Sequence, residues 1–358
     1  MDYINYVKQS PTSMGGMGGL VGSYNFRAAG GEPVPNGSTF FGDRNLICGG
    51  RTPSGQTNEV EVSNITTNAD STDFGDLLNS YYQQMGATDS VRGIVAGGRK
   101  LDGSATDMIQ YKVIPFGAGD AAVDFGNLTP ESRSSGAGNS DGTRAIFLGG
   151  GGDDDYTGHD NGQIITTQTL GNATVCGSLS ANRIGCCGAS NGTRGIVAGG
   201  SSNAQPNQIA QEIYYFTMAS FGSGSTVSSF GSLHTAFGHG GGTQFAGACA
   251  NTSRMLYMMG QTRYNAPPNY EYPISQQIVY ITVDTTSNAT DFGDNQDQPT
   301  YGINGYGNAT RGAWAGGYGN NFRGSTKYFT YSTTGNSTGF GDLLENNAWN
   351  TCMSGAAS

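Results

Sequence analysis

One short phrase recurs along the chain and limits what it can fold into. Residues 193–200 read T-R-G-I-V-A-G-G. R-G-I-V-A-G-G stands at 92–98, R-A-I-F-L-G-G at 144–150 and R-G-A-W-A-G-G at 311–317. Looser copies lie at 44–50, R-N-L-I-C-G-G, and at 254–260, R-M-L-Y-M-M-G. Copies spaced about 50–60 residues apart fit a propeller or a solenoid, in which like units share one core.

Between the copies each unit follows one grammar. After Gly-Gly comes a variable loop, then a run of alternating apolar and polar residues such as I-Q-Y-K-V-I (109–114) or I-V-Y-I-T-V (278–283). That alternation, with its β-branched and aromatic side chains, predicts a strand. A turn follows, as in T-S-N-A-T (286–290), and then D-F-G-D-L (73–77), D-F-G-N-L (124–128), F-G-S-L (230–233), D-F-G-D (291–294) or F-G-D-L (340–343). The third unit has Cys176 where the others have Phe. A run of small residues closes each unit, as in C-G-A-S (187–190) and A-G-A-C (246–249). Four short strands joined by turns make an antiparallel meander, one blade of a propeller. Small residues belong innermost, where strands converge on an axis. The Gly-Gly run belongs second, covered on both faces and so apolar throughout. The Phe-Gly strand is then outermost and shortest. Residues 354–358 read as an innermost strand, and Arg44–Gly50 as a second strand with none before it. Joined, they complete one blade and leave no free edge. The expectation is an all-β, six-bladed propeller over 43–358, preceded by an extended N-terminal arm over 1–42.

Sixty glycines and a charged fraction of 12% suit many short strands and tight turns rather than helices. The regular apolar runs argue against glycine-rich disorder. The net charge of −10, with arginines placed singly, speaks against a nucleic-acid groove. No apolar run is long enough to span a bilayer, and the first residues lack the pattern of a secretory signal. The six cysteines (Cys48, Cys176, Cys186, Cys187, Cys249 and Cys352) form no C-x-x-C pair and read as small buried residues of a protein made in a reducing cytoplasm.

This grammar resembles the kelch repeat, with its Gly-Gly after the second strand, although the kelch tryptophan of the later strands is missing. It resembles more closely the N-A-T-D-F-G-D-L repeats of virion structural and tail-associated proteins of marine cyanophages. Asn288–Asp294 and Arg194–Gly200 carry that likeness. The tyrosine-rich start running to Met-Gly-Gly also looks like the start of such proteins. The resemblance implies a non-enzymatic virion component, made in the host bacterial cytoplasm and anchored by its arm to tail, neck or capsid proteins. It implies a propeller that meets a glycan or protein of the host surface, with no nucleic acid and no membrane insertion. The alternative is a glycan-binding or glycan-hydrolysing propeller.

The candidate anchors in the arm are Tyr3, Ile4, Tyr6, Met14, Met17, Tyr24 and Phe26. In a four-stranded meander the second-to-third and fourth-to-first connections emerge on one face. The longest loops fall there, at 151–163, 201–212, 234–245 and 261–277, and the last offers Tyr264, Tyr270 and Tyr272 as partner contacts. The opposite face is expected to carry only tight turns. Arg44, Arg92, Arg144, Arg194, Arg254 and Arg311 read as clamps between blades, donating to carbonyls or to Asp76, Asp294 or Asp342. The asparagines of N-x-T/S triplets, among them Asn172, Asn191, Asn288 and Asn308, read as turn residues bonding the local backbone. Asp153–Asp155 with His159-Asp160-Asn161-Gly162 is a dense polar cluster that matches no calcium loop and reads as a solvated insertion. No catalytic residues, cofactor or metal ligands are nominated.

Overall fold

The computed structural model describes residues 42–114, 121–152, 158–202, 208–233, 242–258, 260–262, 274–296 and 300–355. They are nearly all strand and turn. The strands run in chain order as β1 (Arg44–Thr52), β2 (Gly55–Asn64) and β3 (Thr72–Asp76), then β4 (Met85–Thr88), β5 (Arg92–Ala96), β6 (Met108–Val113) and β7 (Val123–Asn127). Next come β8 (Ala137–Ser140), β9 (Arg144–Leu148), β10 (His159–Thr166) and β11 (Thr174–Ser190), then β12 (Arg194–Ser202), β13 (Gln208–Ile209), β14 (Glu212–Thr217) and β15 (Ser228–Ser232). The last are β16 (Gly247–Ala250), β17 (Arg254–Met258), β18 (Gln277–Thr282) and β19 (Thr290–Asp294), then β20 (Asn304–Gly307), β21 (Arg311–Ala315), β22 (Ser325–Thr330), β23 (Thr338–Asp342) and β24 (Thr351–Gly355).

The sheets are arranged as in a propeller. Four of them are separate four-stranded meanders: β24-β1-β2-β3, β4-β5-β6-β7, β16-β17-β18-β19 and β20-β21-β22-β23. Six separate sheets were expected, so this is a correction. The third and fourth repeat units share one eight-stranded sheet, because β11 runs without a break from the outer edge of one unit to the inner edge of the next. The cause lies in β10, which begins early. Its first residues pair with the connection itself, His159 opposite Arg183 and Asn161 opposite Ser178, and so hold that connection extended.

The small-residue strands do lie innermost and contact one another in a cycle: β24 on β4, β4 on β8, β8 on β11, β11 on β16, β16 on β20 and β20 on β24. The chain closes on itself as expected. β24 pairs antiparallel with β1, Arg44 opposite Gly355 and Cys48 opposite Thr351. Two details differ from expectation. Inner strands such as β4 and β8, with four residues, are shorter than outer ones such as β7, with five. Not all inner side chains are small, since Tyr306 and Met353 are fully buried there, aimed at the second strands rather than at the axis.

The core sits between sheets. Leu46 and Cys48 of β1 pack with Phe74, Val95 and Met353 towards the second unit, while Ile47 packs with Tyr306, Ala313 and Phe340 towards the sixth. Successive residues of a strand point to opposite faces, so a strand covered on both sides is apolar at every position. All six cysteines are free and buried. Burial pushes their thiols up, Cys48 and Cys249 to about 12.

Neighbouring units are also laced by hydrogen bonds. The second position of each Gly-Gly, in a left-handed conformation at Gly98 for example (φ 121°), donates to a carbonyl ahead of the next inner strand. Gly50 N–H reaches Tyr81 O, Gly98 reaches Arg133 O, Gly150 reaches Arg183 O, Gly200 reaches Thr243 O and Gly317 reaches Asn347 O, at 2.7–2.9 Å. On the opposite face the connections are longer than tight turns. Residues 65–71, 167–173, 283–289 and 331–337 lean on the outer strand of the preceding unit. Asn172 and Asn288 serve this contact, which corrects their reading as local turn residues. Asn172 Oδ1 accepts from Asn127 N (3.0 Å) and Asn288 Oδ1 from Ser232 N (3.1 Å). Asn191 and Asn308 do bond locally, to Arg194 N at 2.8 Å and Arg311 N at 2.7 Å.

A buried carboxylate shows how this lacing is tuned. Glu61 Oε2 accepts from Ser71 Oγ and from Leu344 N (2.9 Å) of the preceding unit. Gln110 and Gln163 do the same work in their units, accepting from Leu78 N and Thr129 N at 2.8 Å. Loss of hydration raises the Glu61 pKa despite these bonds. A raised folded-state pKa means that the native chain holds the proton more tightly than the unfolded one. The group's contribution to stability is therefore present in acid and is lost as pH rises through the folded pKa. Glu61→Gln keeps the acceptor and removes the charge. It is expected to raise the melting temperature at pH 7 by roughly 1–4 °C and to leave it unchanged in acid, where Glu61 is already protonated. Glu61→Ala should instead cost about 1–3 kcal/mol, because Leu344 N–H is left bare. Thermal melts across pH 3–8 check both; a Glu61→Gln protein that is less stable at pH 7 contradicts the argument.

Candidate functional site

The inner strands begin on the face from which the second-to-third loops emerge, and there the backbone closes a ring. Ser135 N donates to Gln83 O, Gly185 N to Ser135 O, Phe245 N to Gly185 O, Gly302 N to Phe245 O, Trp349 N to Gly302 O and Gln83 N to Trp349 O, at 2.6–2.8 Å. Every member takes a left-handed conformation. Glycine does so freely at Gly185 and Gly302, whereas Gln83, Ser135, Phe245 and Trp349 hold φ of 54–58°. Such a conformation costs a non-glycine residue on the order of 1 kcal/mol, and the ring of bonds holds it in place. Below this rim lies an axial cavity of about 50 Å³, lined by Met85, Gly138, Gly188, Ala248, Gly305 and Cys352, among others. That is room for a few waters.

Beside the rim sits an aromatic cluster. Trp349 stacks on Tyr318 (centroids 5.5 Å apart, planes at 23°) and meets Tyr301 edge-on at 5.7 Å, Phe322 at 6.1 Å and Tyr82 at 6.4 Å. Tyr318 also meets Tyr301 and Phe322 edge-on. The rings come from three places. Tyr301 and Trp349 precede the inner strands β20 and β24, Tyr82 precedes β4, and Tyr318 and Phe322 bridge each other across the loop between β21 and β22. All five are only partly buried. Burial, and next to it the neighbouring Tyr318 hydroxyl, raises the Tyr301 pKa. The guanidinium of Arg51, an exposed residue, stands 6.0 Å from the centre of the Tyr82 ring.

The repeated arginines lie on the opposite face. Arg92 Nη1 donates to Thr167 O (2.6 Å), Arg194 to Val283 O (2.7 Å), Arg311 to Ile65 O (3.0 Å), Arg144 to Ala219 O (3.0 Å) and Arg254 to Tyr331 O, each carbonyl belonging to the next unit. Arg144 also pairs with Asp141 in its own turn. Four of them cover a tyrosine of their own third strand, as Arg311 covers Tyr328 at 4.4 Å, and Arg44 covers Phe74 at 4.9 Å.

Other candidates from the sequence fall elsewhere. The arm residues Tyr3, Ile4, Tyr6, Met14, Met17, Tyr24 and Phe26, the loop tyrosines Tyr264, Tyr270 and Tyr272, and Asp153–Asp155 lie outside the described residues. His159–Gly162 is not a solvated insertion but the start of β10. His159 Nδ1 lies 2.8 Å from Glu131 Oε2, and Asn161 O accepts from the buried Arg133 at 2.6 Å. No group of three metal-ligating side chains occurs among the described residues. The aromatic cluster was not foreseen. The signal for it was present: aligning the units places Tyr82 and Tyr301, and separately Trp349, at fixed offsets ahead of their inner strands. No protein-family model and no curated protein matches this sequence.

Proposed function

We propose that the chain is a non-enzymatic bacteriophage virion structural protein. In this reading it is a six-bladed, kelch-like propeller, attached through residues 1–42 to tail, neck or capsid proteins and turning its axial face to the host surface. The cycle of six inner strands and the ring of six hydrogen bonds support counting the eight-stranded sheet as two blades. The likeness of the N-A-T-D-F-G-D phrase to cyanophage repeats supports the virion setting. The observation that carries a binding role is the partly exposed aromatic cluster at Trp349, held on the loop face of a closely laced scaffold. Particles assembled with a chain lacking residues 1–42 should contain no propeller, while the full chain is incorporated. Normal incorporation of the shortened chain would overturn the reading. The aromatic cluster also suits the second reading, a glycan-binding or glycan-hydrolysing propeller. Release of reducing sugar by the purified chain would favour that one.

A further inference from the structure

We propose that the cluster around Trp349 is a saccharide subsite, and that Arg51 gives it a preference for pyranose rings bearing a carboxylate. This rests on the reading of the axial face as an adhesive one and names what it adheres to.

A pyranose ring offers one face of C–H groups and a rim of hydroxyls. Aromatic rings with a polar handle match both sides of such a surface. Of the other large aromatics, Trp314, Tyr257 and Tyr306 are fully buried, and the partly buried Tyr111, Tyr215, Tyr280 and Tyr328 each lie under an arginine on the opposite face. The five rings at the mouth instead pack on each other and stay partly open. Trp349 occupies a backbone position that glycine fills without strain in two sister units. An indole kept at this strained position lies over the rim backbone at Gly302 rather than between two sheets, and it enlarges the aromatic surface of the mouth. The axial cavity is too small for a sugar ring, so the ligand lies across the rim rather than down the axis.

Charge selects among sugars. The net charge is −10, which repels anions in general. Arg51 is exposed, makes no ion pair among the described residues and stands beside the Tyr82 ring. A guanidinium so placed offers a carboxylate two parallel donors.

The test uses the full chain, which has only two tryptophans. Trp314 is 2% exposed, so a ligand-dependent change in emission reports Trp349. The probes are oligogalacturonate and a neutral galacto-oligosaccharide of equal length. Both should change the emission, the acidic one at lower concentration. Tyr318→Ala should weaken both by about tenfold, the equivalent of 1.4 kcal/mol. Arg51→Ala should weaken the acidic oligomer by about fivefold and leave the neutral one unchanged, which a structural role for Arg51 would not do. Trp349→Gly relieves the strained backbone but loses the indole's contacts with Tyr82, Tyr301, Tyr318 and Phe322, so it should melt below the parent chain while still unfolding cooperatively, and saturation-transfer NMR should show no sugar contact. Three results overturn the proposal: no response to either oligomer, undiminished binding by Trp349→Gly, or a Trp349 that even acrylamide cannot quench because the chain itself covers it. Failure here with normal incorporation into particles leaves the virion reading standing. Sugar binding by a chain that never joins particles does the reverse.

Discussion

A chain ending at Asn350 is expected to lose its cooperative unfolding transition, although it keeps every repeat of the Arg-to-Gly-Gly phrase. The residues removed include β24, which fills the inner edge of the first sheet. Without it the backbone of Arg44–Cys48 loses its partners over five consecutive positions. Met353, fully buried against Leu46 and Val95, is lost, and so is Cys352 beside Ile47 and Tyr306. Each large apolar side chain contributes about 1.5–3 kcal/mol when buried. The Ser354 hydroxyl, which donates to Asn45 Oδ1 (2.7 Å) and accepts from Gly307 N (3.0 Å), goes too. Set against a typical total stability of about 5–15 kcal/mol, the sum is decisive. The bared β1 edge should drive association. Denaturant melts and light scattering read the outcome. A circular permutant separates closure from mere shortening. Gly355 lies opposite Arg44, so a short linker can join them, and the chain can be opened instead in the exposed 332–336 turn. This permutant should fold and melt cooperatively. A truncated chain with the parent's midpoint would show that the ring does not depend on its closure.

What could be read from the sequence, and what could not, divides along the range of the interactions. Strand order within a unit follows from local pattern: apolar after the leading arginine for β5, alternating for β6, small after Met85 for β4. Closure followed from the same pattern, because an inner strand at one end and a second strand at the other can satisfy each other. The merged sheet could not be read, since it depends on how early β10 begins against a connection some twenty residues further on. The lacing by Asn172 and Asn288 was missed for a like reason. Asn172 accepts from Asn127, in the unit before it, and nothing in an N-A-T triplet says that its side chain faces away from its own turn. The aromatic cluster draws rings from residues 82, 301, 318, 322 and 349, which meet only once the first unit lies between the sixth and the start of the second.

The rule that axial residues are small hides a sharper requirement, and Gly138→Val tests it. Gly86, Gly138, Gly188, Ala248, Gly305 and Cys352 occupy matching places on the inner strands, opposite Val95, Phe147, Val197, Tyr257, Trp314 and Ile47. Two of the six therefore accommodate a β-carbon. Gly138 does not. A β-carbon built on it would lie 2.0 Å from Gly86 O, an atom of the neighbouring inner strand and not a side chain that can swing away. Relief requires β4 and β8 to move apart beneath the rim where Ser135 N–H meets Gln83 O. Overpacking in a core costs about 1–3 kcal/mol when side chains can yield, and a backbone obstacle places Gly138→Val at or above the top of that range. Gly222 is the control. Nothing stands within 4 Å of its virtual β-carbon, and Gly222→Ala should change stability by less than about 0.5 kcal/mol. Urea melts of the two variants compare them directly. If Gly138→Val unfolds within about 1 kcal/mol of the parent, the ordinary effect of a point mutation, the inner strands do not approach each other as closely as this geometry requires. The fall in stability should come with a loss of Trp349 emission sensitivity to saccharide, because Gln83 and Ser135, two members of the ring that holds the indole at the mouth, lead into these two strands.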